Sequence, residues 1–236
     1  MTKEKQEIPQ ANEASSFKML RAMAGIGLLC ALLIVLTYEG TLPRIEQLKA
    51  EALEAAIFKV IPGTTQTKAY ALKDGEFVAL EGKENAEKKI YAGYNDNNEL
   101  MGFAIEASGQ GYADIIRILY GYDPAQQAVV GFYVLDSKET PGLGDKIEKD
   151  DNFLANFKAL DVKLDETFTK IVNSVVTVKS GAKVNPWEVD GITGATISSR
   201  AIGNIIAESS KEWMPILYPQ VDHFKQETAQ AETSTH

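Results

Sequence analysis

Histidine and cysteine are almost missing from this chain of 236 residues, and their scarcity excludes much chemistry. The single cysteine, Cys30, lies inside an apolar N-terminal run, so the remainder can neither close a disulfide nor ligate an iron–sulfur cluster through thiolates. The two histidines, His223 and His236, both fall near the C-terminus. A Ser-His-Asp triad, a histidine-ligated haem and a histidine-rich zinc centre are therefore not expected, and no catalytic or metal-ligating residue is assigned. Clusters of Lys and Arg are also lacking. With 24 Lys+Arg against 33 Asp+Glu the formal net charge is -9, the wrong sign for neutralising nucleic-acid phosphates. Nor is there a strand–GxGxxG–helix fingerprint for a dinucleotide. A chain of this composition that handles electrons must carry them on an organic cofactor held by other means.

What the chain does have, first, is one long uncharged run. Ala22 to Tyr38 reads AMAGIGLLCALLIVLTY, and Phe17, Met19 and Leu20 extend its apolar character. At about 1.5 Å per helical residue it covers roughly the hydrocarbon thickness of a bilayer, so 22–39 is read as a single transmembrane helix. A cleaved signal peptide is the alternative. The length of the run and the absence of a small-x-small pattern in Glu39-Gly40-Thr41-Leu42-Pro43 count against it. Lys3, Lys5, Lys18 and Arg21 precede the run and only Arg44 follows closely, which places a 1–21 tail in the cytoplasm and the bulk of the chain outside it. The expected location is the bacterial inner membrane, single-pass, with a periplasmic or other extracytoplasmic domain. Residues 40–62 form a juxtamembrane segment. Pro43 suits a first helical turn, and Ile45, Leu48, Ala52, Leu53, Ala56, Ile57 and Val60 share one helical face. That face either packs on the domain or docks a membrane partner.

From Thr67 to Leu135 the period shortens to alternating runs. Residues 89–94 and 100–107 read as a hairpin across Asn95-Asp96-Asn97-Asn98, and 115–122 with 128–135 as a second across Asp123 to Gln127. Phe153 to Leu160 and Ser199 to Trp213 are the clearest later helices, the second with Ile202, Ile205, Ile206 and Trp213 at helical spacing. The expected fold is α+β: a mainly antiparallel sheet with flanking helices over 63–218, after the single N-terminal transmembrane helix. A polar tail, read as mobile, follows over 219–236.

Three loops concentrate the small and polar residues. Gly109-Gln110-Gly111-Tyr112 permits close backbone approach to a ligand, or is a tight turn into a strand. Glu139-Thr140-Pro141-Gly142-Leu143-Gly144-Asp145-Lys146 combines a fixed φ at proline with two flexible glycines, and presents Leu143 outward as a flat ring would need; a structural turn is equally consistent. Asp190-Gly191-Ile192-Thr193-Gly194-Ala195-Thr196 leads into a helix with Ser198 or Ser199 as candidate N-cap. A phosphate there would meet unpaired N–H groups and the positive helix end, with Arg200 one turn on; an ordinary capped helix is the plain alternative.

The second and third loops together resemble the FMN-binding domain family, in the form found in G subunits of Rnf electron-transport complexes. C subunits of sodium-pumping NADH:quinone reductases carry related loops. With the N-terminal helix, the resemblance covers Arg21 to about Trp213. It implies FMN as cofactor, joined through its phosphate to Thr196, with Thr193, Gly194, Ala195 and Ile197 around the attachment point. It implies that Glu139, Thr140, Leu143 and Gly144 line the flavin, with Tyr112 and Lys146 as further contacts. It also implies a maturation partner, a flavin transferase that draws FMN from FAD and reads Asp190, Gly194, Ala195 and Thr196. Trp187 would either stack on the ring or pack in the core. The expected function is electron relay as one member of a redox-driven ion translocase, without a complete active site of its own. The corresponding member of a sodium-pumping reductase and an anchored module that only binds or scaffolds are the alternatives.

Overall fold

The computed structural model describes residues 16–80 and 88–225. Residues 1–15 of the expected cytoplasmic tail and 226–236 of the expected mobile tail lie outside the described residues. The chain divides into two units, one ending at Ala50 and the other starting at Glu51.

The described residues of the first unit are helical. Helix α1 (Ser16–Val60) contains the whole apolar run, and its large side chains, Leu28 and Ile34 among them, are exposed along their length. By length and composition it is a candidate membrane span. The expected boundary between a helix at 22–39 and a second at 40–62 is absent, because α1 continues through Pro43. Proline removes one intrahelical hydrogen bond, at a cost of about 3 kcal/mol, but its fixed φ is itself helical. In the turns before it the hydroxyls of Thr37 and Thr41 donate to the carbonyls of Leu33 and Thr37.

Among the described residues the main sheet of the second unit has seven strands: β1 (Gln66–Lys73), β2 (Glu76–Ala79), β3 (Lys89–Tyr94), β4 (Leu100–Gln110), β5 (Ile115–Asp123), β6 (Ala128–Asp136) and β7 (Leu160–Asp161). They lie in the order β2-β1-β3-β4-β5-β6-β7 and every neighbouring pair is antiparallel. Both expected hairpins are present. In the β3–β4 turn, Asn95 Oδ1 accepts from the N–H groups of Asn97 and Glu99, which fixes the register that the polar loop announced.

Strand alternation gives the sheet two apolar faces. Ile90, Phe103, Ile105, Ile118 and Tyr120 point to one and are buried under α3 (Thr196–Leu217), whose Ile202, Ile206, Met214 and Leu217 meet them. Ala104 and Leu119 point to the other and are covered by Ala56, Ile57 and Val60 at the end of α1. The amphipathic face expected over 40–62 is thus buried at its C-terminal part, whereas Ile45 and Leu48 are exposed. Gly121 and Gly131 stand opposite each other on β5 and β6, beneath the Val60 carbonyl. A Cβ on either glycine would overlap that oxygen, so backbone seats directly on backbone.

Two expectations are corrected. The helix expected over 153–160 is only α2 (Asp151–Ala155), capped by Asp150 Oδ1 accepting from Phe153 N–H, then a 3-10 turn at Asn156–Lys158; Leu160 already pairs with Val129 as strand. The tail is not free from 219 onward. Residues 221–225 are helical, and the Phe224 ring is fully buried against Tyr70, Phe77 and Phe103, with centroids at 4.8, 5.2 and 4.8 Å. One aromatic ring that finds a complete pocket recovers about 2 kcal/mol from burial, which outweighs the polar composition around it.

Gly121→Ala should force the end of α1 off the sheet. The expected loss is about 2–3 kcal/mol of unfolding free energy, read as a lower urea midpoint at unchanged m-value.

Candidate functional site

The carboxylate of Glu139 gathers the three loops. Its side chain is 6% exposed. Oε1 accepts from the backbone N–H groups of Tyr112 at 2.8 Å and Ala113 at 3.0 Å, and Oε2 accepts from the hydroxyl of Ser198 in the first turn of α3. A buried carboxylate is costly unless its lone pairs are filled, and here three donors fill them. The two neighbouring glycines are required by space. A Cβ on Gly111 would stand 2.5 Å from Oε1, and one on Gly144 would overlap Oε2 and approach Ser198 Oγ. Lys138 adds a second tie between the loops through Asp114 at 2.6 Å and holds that carboxyl below its usual range.

The loop at 140–146 is a closed turn. Leu143 and Asp145 donate their N–H groups to the Thr140 carbonyl, and Asp145 Oδ1 accepts from Gly142 N–H at 2.6 Å. Gly142 holds φ +78°, a value that favours glycine. Lys149 bonds the other oxygen of Asp145 at 2.7 Å; the lysine is the main cause, with the Gly142 N–H contributing, of an Asp145 pKa below the ordinary carboxylate value. Leu143, as expected from its place between glycines, is exposed at 52%.

The Asp190–Thr196 segment leaves a short parallel pair, β8 (Val176–Val178) and β9 (Glu188–Asp190). Asp190 Oδ2 accepts from Gly181 N–H at 2.9 Å and Oδ1 from Ala182 N–H at 3.2 Å. Gly194, at φ +87°, turns the chain so that helical geometry begins at Thr196. The N-cap position therefore falls to Ala195, which has no side-chain acceptor, and not to Ser198 or Ser199 as the sequence suggested. Both serines lie in the first turn with their hydroxyls directed inward: Ser199 Oγ accepts from Ile192 N–H at 3.0 Å and donates to the Ala195 carbonyl at 2.8 Å. The first intrahelical bond runs from Ser199 N–H to that same carbonyl. The amides before it, of Thr196, Ile197 and Ser198, are those a helix leaves without internal acceptors.

The expected residues divide into two groups. Thr193, Gly194, Thr196, Ile197, Thr140, Leu143 and Tyr112 are exposed. Tyr112, Leu143 and Ile197, at 65, 52 and 53%, come from two loops and the first turn of α3; Tyr112 donates its N–H to the Glu139 carboxylate, Ile197 precedes Ser198, which also donates to it, and Leu143 precedes Gly144, which lies against it. Glu139, Gly144 and Ala195 are buried. Glu139 therefore shapes the loops from within instead of presenting its carboxylate on their surface. Lys146 is half-buried and lines a cleft of about 450 Å³ that also takes in Lys149, Phe153, Asp190 and Thr193. Trp187 is half-buried beside β8, where its carbonyl accepts from Val176 N–H. Sequence reasoning missed Ser198 as the partner of Glu139. It also missed Asn156, buried at 4% exposure and bonded to both backbone groups of Asp190.

Comparison with known proteins gives consistent likenesses. The family model described as FMN-binding domain matches residues 111–211. The chain is 30% identical over 185 residues to the G subunit of the ion-translocating oxidoreductase complex of Methanosarcina acetivorans, covering 78% of this chain and 87% of the relative. It is 30% identical over 191 residues to the G subunit of the Na(+)-translocating ferredoxin:NAD(+) oxidoreductase complex of Acetobacterium woodii, covering 79% and 86%. Among solved structures, the C subunit of the Na(+)-translocating NADH-quinone reductase of Parabacteroides distasonis superposes with a TM-score of 0.57 at 21% identity, covering 74% of this chain and 96% of that one. NqrC of Shewanella oneidensis gives 0.52 at 16%, covering 78% and 99%. At these identities the two structures establish the fold alone: an antiparallel sheet domain with flanking helices.

Glu139→Ala would leave two backbone N–H groups and one buried hydroxyl without acceptors. The expected loss is roughly 3 kcal/mol by urea unfolding, with Glu139→Gln losing less because it keeps one acceptor oxygen. Asp145 has a depressed pKa in the folded chain, so its stabilising contribution is present above the unfolded value of 3.8 and is lost as pH falls through the lower folded value. Acid titration should shift the Gly142 amide resonance in that lower window, and Lys149→Met should move the shift toward 3.8.

Proposed function

Since this chain belongs to the family of G subunits of ion-translocating oxidoreductase complexes and carries an FMN-binding domain, we propose that it is a membrane-anchored electron carrier of such a complex, holding FMN covalently through a phosphoester to Thr196. The observation that carries this reading is the exposed residue Thr196 at the first position of a 22-residue helix whose N-cap, Ala195, offers no side-chain acceptor to the leading amides.

The residues present fit the cofactor. A phosphodiester on Thr196 would take the place of the missing cap, accept from the amides of Ile197 and Ser198, and benefit from the positive helix end. Gly194 and Ala195 add no bulk beside it, and Thr193 is exposed two residues before Ala195. Tyr112, Leu143, Ile197 and Thr140 offer exposed surface for the flavin ring, with Lys146 as a cation at its margin; Glu139 and Gly144 set the shape beneath. Bound FMN supplies reversible uptake and release of electrons, one or two at a time.

Attachment needs a second protein, a flavin transferase using FAD. Thr196 Oγ bonds to the FMN-side phosphorus, the bond from that phosphorus to the bridging diphosphate oxygen breaks, AMP leaves with that oxygen, and Thr196 releases its proton. No atom changes oxidation state.

The apolar run of α1 anchors the chain, and the basic residues ahead of it favour an extracytoplasmic flavin domain. Ala22 to Tyr38 holds no charged side chain, so the ion path belongs to other members of the complex.

Chain produced with a flavin transferase should gain the mass of FMN less one water and give a fluorescent band after denaturing electrophoresis. Thr196→Ala should fold and lose both signals. An unlabelled wild-type chain would remove the covalent reading, and a labelled Thr196→Ala chain would assign the bond to another hydroxyl.

A further inference from the structure

Asn156 lies 34 residues before Asp190 and outside every loop that the sequence marked, yet its amide grips the first residue of the attachment segment. Its Oδ1 accepts from Asp190 N–H at 2.9 Å, and its Nδ2 donates to the Asp190 carbonyl at 3.1 Å. This is the pairing a neighbouring strand would make, supplied by one side chain on the edge of β9. The amide is itself held. Nδ2 also donates to the Phe153 carbonyl at 2.9 Å, and Lys183 Nζ donates to Oδ1 at 3.1 Å. Asn156 is 4% exposed, so nothing outside the chain reaches it. Asp190, fixed at both backbone groups, directs its carboxylate to the N–H groups of Gly181 and Ala182 and closes the turn at 179–182.

We propose that Asn156 and Asp190 form an internal clamp that preforms the acceptor loop, so that Asp190 acts in flavin attachment by positioning Gly191–Thr196 and not by contacting the transferase. The proposal rests on the reading of Thr196 as the acceptor. It gives the aspartate at the head of the segment an intramolecular task that its bonds already perform. It also names a residue outside that segment whose loss has the same effect. A loop ordered before encounter adds no ordering cost to the transferase complex; a released loop adds it on binding.

The test uses full-length chain in detergent, a flavin transferase and FAD, with in-gel fluorescence as readout. Asn156→Ala and Asp190→Ala should each raise the KM for the acceptor chain about tenfold with kcat little changed, the split expected when only preorganisation is lost. A chain that is merely less folded would instead leave part of the chain unlabelled at the endpoint, and its KM corrected for the labelled fraction would equal the wild-type value. Asn156→Asp removes the Nδ2 donor and keeps an acceptor for Asp190 N–H, so it should fall between wild type and Asn156→Ala. Wild-type KM in a folded Asn156→Ala chain overturns the clamp. So does a large effect of Asp190→Ala beside a silent Asn156→Ala, which would mean direct reading of the carboxylate. Should the Asn156 variants fail to fold, hydrogen exchange on wild-type chain decides: the clamp requires a protected Asp190 amide, and exchange at the rate of an open loop overturns it. Wild-type chain that takes no label, or Thr196→Ala that still does, defeats the attachment reading and leaves the protected amide in place.

Discussion

One buried carboxylate organises the loop end of this domain. Glu139 takes donors from the turn after β4 and from the first turn of α3 while belonging itself to the loop after β6. Three segments far apart in sequence are thereby fixed to one another at a single point. The surrounding constraints follow from it. Gly111 and Gly144 lack side chains because the carboxylate occupies that space, and Ser198 turns inward from the first turn of α3 to meet it. The cap position of that helix falls to Ala195, which brings no acceptor to the leading amides.

Much of the framework could be read from the residues because the relevant forces are local. Strand alternation at 89–94, 100–107, 115–122 and 128–135 follows from a period of two, and Asn95 at the first turn carries its own hydrogen-bond program. The exposure of Leu143 follows from two glycines on either side of it. The Asp190–Thr196 motif marks the loop proposed for attachment, but the serines after it resemble caps in sequence and face inward in the fold. A hydroxyl bonds an amide two or three residues on, or a distant carboxylate, with equal chemical readiness; only tertiary structure chooses.

What sequence did not disclose depends on long-range partners. Phe224 sits in polar surroundings along the chain, yet meets Tyr70, Phe77 and Phe103 from β1, β2 and β4. Asn156 follows a short helix like many C-terminal asparagines, and its bonds to Asp190 span 34 positions without a pattern to mark them. Pro43 misleads in the other direction. A residue that commonly starts helices lies in the middle of one, since its backbone angle is already helical and the flanking turns are intact.

The seat of Val60 on Gly121 and Gly131 places main-chain atoms, and no side chain, against those two glycines. A contact made by main-chain atoms is indifferent to which residue supplies them. Substitution at position 60 can alter the packing around the oxygen without removing it, whereas the two sheet positions are confined to the smallest residue. At this point of the joint the information is therefore stored in the two glycines, whereas the side chains of Ala56, Ile57 and Val60 around it must match Ala104 and Leu119.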